Sequence, residues 1–146
     1  ETSENLMDLT DGRFTSVKLA PYESNNRYGI KIKVVGVDGI PHDVQEFSGG
    51  EKTQINAALR FAIAKELASI KGSYGRMKTL FIDEGDLGSL DTEGSRELFV
   101  RKLFDMGKFF EKIILITHLS EVAEKFEGKL RVYMTEEGKS RVEVLR

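Results

Sequence analysis

The chain has no cysteine, which excludes a disulfide framework and a thiolate metal site within these residues and agrees with a reducing compartment. No window approaches the ~18 consecutive apolar residues of a membrane-spanning helix, and the opening Glu-Thr-Ser-Glu-Asn lacks the charge pattern of a signal peptide. Neither sign of charge is in excess. With 22 Lys and Arg against 24 Asp and Glu the net charge is −2, so no global electrostatic footprint for nucleic acid exists. Any DNA contact must come from a local patch or from protein beyond this chain. The phosphate-cradling pattern GxxxxGK[ST] is also missing: Gly138-Lys139-Ser140 is the only GK[ST], and Tyr133 stands where the first glycine should be.

What is present fits about one domain. The chain has 146 residues, 40% hydrophobic and 32% charged, enough to bury roughly two thirds of its unfolded surface. Leu6 and Leu9 suggest a short helix ended by Thr10-Asp11-Gly12. Arg13 to Leu19 and Tyr28 to Val37 read as strands, the second with Ile30, Ile32 and Val34 alternating with Lys31 and Lys33. Asp38-Gly39 is a hairpin signal toward Ile40-Pro41.

From Glu51 the period changes. Ile55, Ala58, Leu59, Ala62, Ile63, Leu67 and Ile70 recur at helical spacing and are expected in the core, with Gly72-Ser73-Tyr74-Gly75 stopping the helix. Short apolar runs, Thr79 to Ile82 and Lys112 to Thr117, separated by amphipathic stretches (Thr92 to about Met106, Ser120 to Glu127), predict a buried parallel sheet. Leu130 to Met134 and Val142 to Leu145 predict a closing hairpin across Glu137-Gly138. The fold class is α/β: a β-rich meander over 13–46, then a parallel-sheet α/β part over 47–146.

Four stretches carry chemistry. Phe47-Ser48-Gly49-Gly50-Glu51-Lys52 opens the long helix: Ser48 can cap it, the glycines admit a ligand close to the backbone, and the helix N-terminus favours an anion. Asp83 and Glu84 follow an apolar strand, where open parallel sheets place their ligand sites. Two adjacent carboxylates there suit a division of labour, one holding Mg2+ and the next polarising an attacking water; an acidic pair at a strand exit also fits ordinary solvation. His118 ends the next apolar run, a position that equally fits a structural hydrogen-bonding histidine. Gly88-Ser89-Leu90-Asp91 lies between these motifs.

In this order the motifs resemble the C-terminal half of an ABC-type ATPase head: a signature at Ser48, Gly49, Gly50 and Glu51, a Walker B at Leu80 to Glu84, a D-loop at Ser89, Leu90 and Asp91, and a switch at His118. Within that superfamily the chain looks most like the SMC-related repair ATPases, the SbcC or Rad-fifty type. Glu84 is followed by Gly85, the helix text Ala57 to Ala64 resembles that branch's signature helix, and Leu9 to Phe14 resembles the segment with which such proteins leave their coiled coil. The spacing from Asp83 to Asp91 is one residue longer than the family's usual one, with the extra residue near Asp86-Leu87.

The resemblance implies residues 1–12 as the end of a coiled coil and 13–146 as a C-terminal lobe. It also accounts for the missing Walker A loop, carried in the family by an N-terminal segment beyond a long coiled coil, and a chain opening at Glu1 is read as such an excised lobe. Two heads would sandwich ATP and Mg2+. Ser48 and the amides of Gly49 and Gly50 would meet the γ-phosphate in trans, with Glu51 completing that nucleotide-binding signature; Asp83 would support the metal, through water, Glu84 would activate water, and His118 would touch the γ-phosphate in cis. Lys52 and Arg60 match basic residues that relay closure in the family, and both also fit solvated helix surface. The implied partners are the Walker A segment, a second copy, an SbcD or Mre-eleven type nuclease and DNA, with no membrane, in the cytoplasm at the nucleoid or nucleus. The alternatives are an SMC, RecN, RecF-like or defence ATPase head, or a non-hydrolysing interaction module.

Overall fold

The computed structural model describes residues 1–70, 78–83, 90 and 93–145. They fall into two units, Glu1–Ile116 and Thr117–Arg146.

In the first unit, α1 (Thr2–Leu9) buries Leu6 and Leu9, one turn apart, together with Asn5. Asn5 Nδ2 donates to the carbonyl of Ala58 at 3.2 Å, which satisfies a polar group that would otherwise be costly to bury. The helix ends where Asp11 and Gly12 take positive φ, 50° and 76°. Glycine suits the second of these at no steric cost. Thr10 Oγ1 donates to the carbonyl of Leu6 and accepts the N–H of Phe14, which steers the chain into β1.

Strand β1 (Phe14–Ser24) pairs antiparallel with β2 (Arg27–Gly36) through a two-residue turn at Asn25-Asn26, both at positive φ. Asparagine tolerates this left-handed geometry, and such a turn matches the strands' twist. The residue pattern predicts a strand only to Leu19, so the hairpin is longer than expected. The alternation of β2 is present but only its inner end is covered: Val34 is fully buried, Ile32 partly, and Ile30 is exposed. Asp38-Gly39 turns as expected, with Asp38 Oδ1 accepting the N–H of Ile40, and β3 (Pro41–Asp43) joins β2. A 3-10 turn, Val44–Glu46, then leads to the long helix.

That helix, α2 (Gly49–Ser69), begins directly after its expected cap, Ser48. Its buried stripe is Gln54, Ala57, Ala58, Phe61, Ala64 and Ala68, a row of mostly small side chains. This corrects the expected core: Ile55, Ala58 and Ala62 are buried and Leu59 partly so, but Ile63 (51% exposed), Leu67 (43%) and Ile70 (52%) are not. At 100° per residue, Leu59, Ile63, Leu67 and Ile70 form a second stripe on roughly the opposite face. A helix apolar on both sides belongs to the interior of something larger than the surface that covers one side.

Strand β4 (Thr79–Ile82) pairs in parallel with β5 (Lys112–Leu115), in register from Thr79 opposite Lys112 to Ile82 opposite Leu115. The parallel pairing is as expected; the burial is not. Ile82 is buried, but Phe81 is 68% exposed and Ile116 also faces outward. Parallel sheets are ordinarily covered on both faces. Between these strands α3 (Glu93–Met106) buries Phe99, Val100, Leu103 and Met106, with the Phe99 ring 5.4 Å from that of Phe61 on α2.

The second unit holds α4 (Ser120–Ala123), shorter than the expected 120–127, and an antiparallel hairpin of β6 (Lys129–Met134) and β7 (Ser140–Leu145). Leu130, Val132, Met134, Val142 and Val144 on this hairpin are exposed. The helix stop at Gly72 to Gly75 and the loop at Asp86-Leu87 lie outside the described residues.

Candidate functional site

Ser48 takes extended backbone angles, φ −62° and ψ 167°, and caps α2. Its Oγ accepts the N–H of Glu51 at 3.3 Å, and Glu51 Oε2 accepts the N–H of Ser48 at 2.9 Å. This reciprocal box satisfies two backbone donors of the first turn. A hydroxyl that accepts through one lone pair keeps its proton to donate to an anion. The Ser48 backbone N–H holds the Glu51 carboxyl below the usual carboxylate range; partial burial opposes this, and the Ser48 side chain and Arg13 reinforce it.

Gly49 occupies the helix's first position, and a Cβ built there would meet nothing within 4 Å. The lobe's own packing therefore does not call for glycine at 49. What the missing side chain leaves is open room at the end of a helix dipole, the requirement for close approach by an anion.

A cavity of about 350 Å³ opens at this helix end, lined by Ser48, Gly50, Glu51, Arg13, Leu90 and Ser95 among others. The structure thus brings the expected signature and one residue of the expected D-loop, the buried Leu90, to one place. Ser89, Asp91 and Glu84 lie outside the described residues. Asp83 is exposed at the end of β4 and lines a second cavity, of about 330 Å³, together with Arg60, Phe81 and Phe99. Lys52 lines a third with Tyr22 and Asp43. His118 is exposed and belongs to the second unit, three residues beyond the end of β5.

Among the described residues no cluster of three or more His, Asp or Glu could hold a metal by itself. Mg2+ bound alongside phosphates needs only one or two protein carboxylates and keeps several waters. Asp83 is the described carboxylate at the strand end where such a site would form.

Sequence reasoning missed Arg13 and Gln54. Arg13 Nη1 lies 3.3 Å from Glu51 Oε1, and its Nη2 donates to Gln54 Oε1 at 3.2 Å. Gln54, 4% exposed, donates through Nε2 to the carbonyl of Leu9 at 2.7 Å and to Ser95 Oγ at 3.4 Å. The available signal was a lone glutamine on the buried stripe of α2, a residue type mostly exposed unless partnered.

The chain's fold matches those of SMC head domains: it aligns over 99% of its length to the head of Smc bound to the C-winged helix domain of ScpA, with a TM-score of 0.73 at 22% identity, covering 41% of that chain. It also aligns to the Smc head with coiled coil and joint from Pyrococcus yayanosii, over 99% of its length and 26% of that chain, with a TM-score of 0.73 at 20% identity. In sequence it is 30% identical over 141 residues to the SbcC subunit of the nuclease SbcCD of Vibrio cholerae, across 94% of this chain. The chain is a head lobe of the SMC-related, SbcC type. A second SbcC protein, from Pseudomonas aeruginosa, is 37% identical over 102 residues, covering 70% of the lobe and 8% of that protein. The lobe spans only 14% of the length of the Vibrio relative. No family model matches the chain. No helix among the described residues is long and apolar enough to cross a membrane.

Proposed function

We propose that this lobe is the C-terminal half of an ATP-binding and hydrolysing head that closes on a second copy when ATP binds, and that it works on DNA ends with an SbcD or Mre-eleven type nuclease. The observation that carries the reading is the capped N-terminus of α2. There Ser48, Gly50 and Leu90 line one cavity, and Gly49, a glycine without a packing reason of its own, forms the first position of the helix beside them.

In this reading Ser48 and the amides of Gly49 and Gly50 bind the γ-phosphate of ATP held by the Walker A segment of the opposite head. Asp83 holds Mg2+ through water, and the metal supplies neutralisation of the β- and γ-phosphate charge. Glu84 orients a water and takes its proton as the water oxygen bonds to the γ-phosphorus and the bond to the β-phosphate oxygen breaks. His118 donates to the γ-phosphate in its own head. Ser89, Leu90 and Asp91 carry the site across to the partner, and Lys52 and Arg60 transmit closure. The chemistry asks the protein mainly for positioning and charge stabilisation.

The SMC-head fold equally suits a chromosome-organising head, one of whose structural neighbours carries part of ScpA. Sequence likeness to the SbcC proteins favours the repair reading. Pull-down of the full-length protein against an SbcD-type nuclease and against a ScpA-type winged-helix domain separates the two. Capture of the winged-helix domain alone would overturn the repair assignment while leaving the ATPase head intact.

A further inference from the structure

We infer that Arg13 is a positioning residue for Ser48, acting through the Glu51 carboxylate. The inference rests on the reading of Ser48 as the serine that meets phosphate. Arg13 stands between the end of α1 and the start of β1, with its guanidinium carbon 4.9 Å from the centroid of the Phe14 ring. From there it reaches Glu51 Oε1 at 3.3 Å and Gln54 Oε1 at 3.2 Å. The other carboxylate oxygen of Glu51 accepts the Ser48 N–H at 2.9 Å. One carboxylate therefore bridges the arginine to the backbone of the serine, and a shift of either end is felt at the other.

Two physical needs meet here. A phosphate-binding helix end with an ionised carboxylate in its first turn is a conflict of charge, since the carboxylate repels the anion that the helix dipole attracts. Arg13 lines the same cavity as Ser48 and Gly50 and offsets that charge. The cap also has to be fixed before the phosphate arrives, because ordering it during binding would weaken closure. Arg13 and Gln54 supply that order by tying the first turns of α2 to the end of α1, where Gln54 Nε2 donates to the Leu9 carbonyl, and to Ser95 near the start of α3. In a head whose α1 continues from a coiled coil, this makes the arginine the contact through which the position of α1 bears on the signature.

The test uses the full-length protein and titrates ATP with Mg2+ while following dimerisation by light scattering. It also measures the ATP affinity of undimerised protein and the nucleotide-free melting temperature. Arg13→Ala is expected to raise the ATP concentration for half-maximal dimerisation about 3- to 10-fold, the range for a half-exposed ion pair with one further hydrogen bond. Nucleotide affinity before dimerisation should be unchanged, and Arg13→Lys should recover part of the loss. In a Glu51→Gln background, Arg13→Ala should shift the midpoint less than about 2-fold, since the carboxylate it serves is gone. Wild-type dimerisation with an unaffected Arg13→Ala variant would overturn this inference alone. So would equal shifts in both backgrounds, or a shift that follows the melting temperature across all variants. If wild type does not dimerise with ATP, the signature reading falls and this inference with it.

Discussion

The ring of Phe47 meets the ring of Phe14 edge-on, centroids 5.1 Å apart, so the residue just before Ser48 is clamped to the first residue of β1. Phe47 also meets the imidazole of His42 edge-on, at 6.1 Å between centroids. His42 is held between two carboxylates, with Nε2 3.0 Å from Asp38 Oδ2 and Nδ1 3.2 Å from Glu46 Oε2. The loop that delivers Ser48 therefore leans on a titrating group.

This pair gives a pH dependence with a definite sign. Asp38 first, then Glu46, hold the His42 pKa above its ordinary value of 6.5, and His42 holds Asp38 below its ordinary 3.8. A raised histidine pKa contributes stability that is complete below 6.5 and is lost as pH rises through the folded value; a depressed aspartate pKa contributes stability that is lost as pH falls below about 4. Relative to His42→Gln, the protein should therefore be most stabilised between about pH 4 and 6.5 and lose that advantage toward pH 9. Paired thermal melts across this range check it, and a difference that stays flat from pH 6 to 9 would refute the clasp.

Replacing Ser48 by arginine separates capping from phosphate binding. Loss of the cap alone costs about 0.5–2 kcal/mol of stability. If the serine meets the γ-phosphate across the dimer, the arginine also fills the space the phosphate needs. The full-length variant should then bind ATP with near-normal affinity yet stay monomeric in size-exclusion experiments where wild type dimerises.

Glu84→Gln should bind Mg-ATP, hydrolyse it about 10²- to 10⁴-fold more slowly and accumulate as an ATP-bound dimer. Turnover within a few-fold of wild type would remove Glu84 from the role of base.

The uncovered surfaces predict how the lobe behaves by itself. Phe81 on β4 and Ile116 just after β5, with Ile63 and Leu67 on α2 and Ile70 at its C-cap, are exposed. Taking such a side chain from full exposure to full burial contributes about 1.5–3 kcal/mol, and covering these partly exposed ones contributes roughly half of that each. The isolated lobe should bind a hydrophobic dye and aggregate on heating, and adding the Walker A segment should abolish dye binding and restore a cooperative melt. A sharp, concentration-independent transition for the lobe alone would count against this.

Much of this architecture could be read from residue order because local rules and tertiary environment agree there. The Asp38-Gly39 turn, the span of α3 and the parallel pairing of β4 with β5 are of that kind. The Asn25-Asn26 turn escaped because Pro21 and the polar residues around it mask the strand period at the end of β1. The two stripes of α2 escaped for a different reason. Periodicity reports which residues are apolar, and the larger ones, Ile63 and Leu67, lie on the face that this lobe leaves open, while alanines fill the closed one. At the site, Ser48 and Leu90 could be found as motif members, whereas Arg13 could not. Its role comes from meeting Glu51 and Gln54 across some forty residues of chain, which no local pattern encodes.

The β1–β2 hairpin offers an experimental handle. Paired from Phe14 to Ser24, it carries its Asn25-Asn26 tip about 30 Å from the strand's start at Phe14. Ser24 is exposed beside that tip, and the chain contains no thiol of its own. A cysteine at Ser24 would therefore take a single spin label or fluorophore within this lobe, and the distance between labels on two heads would read closure directly.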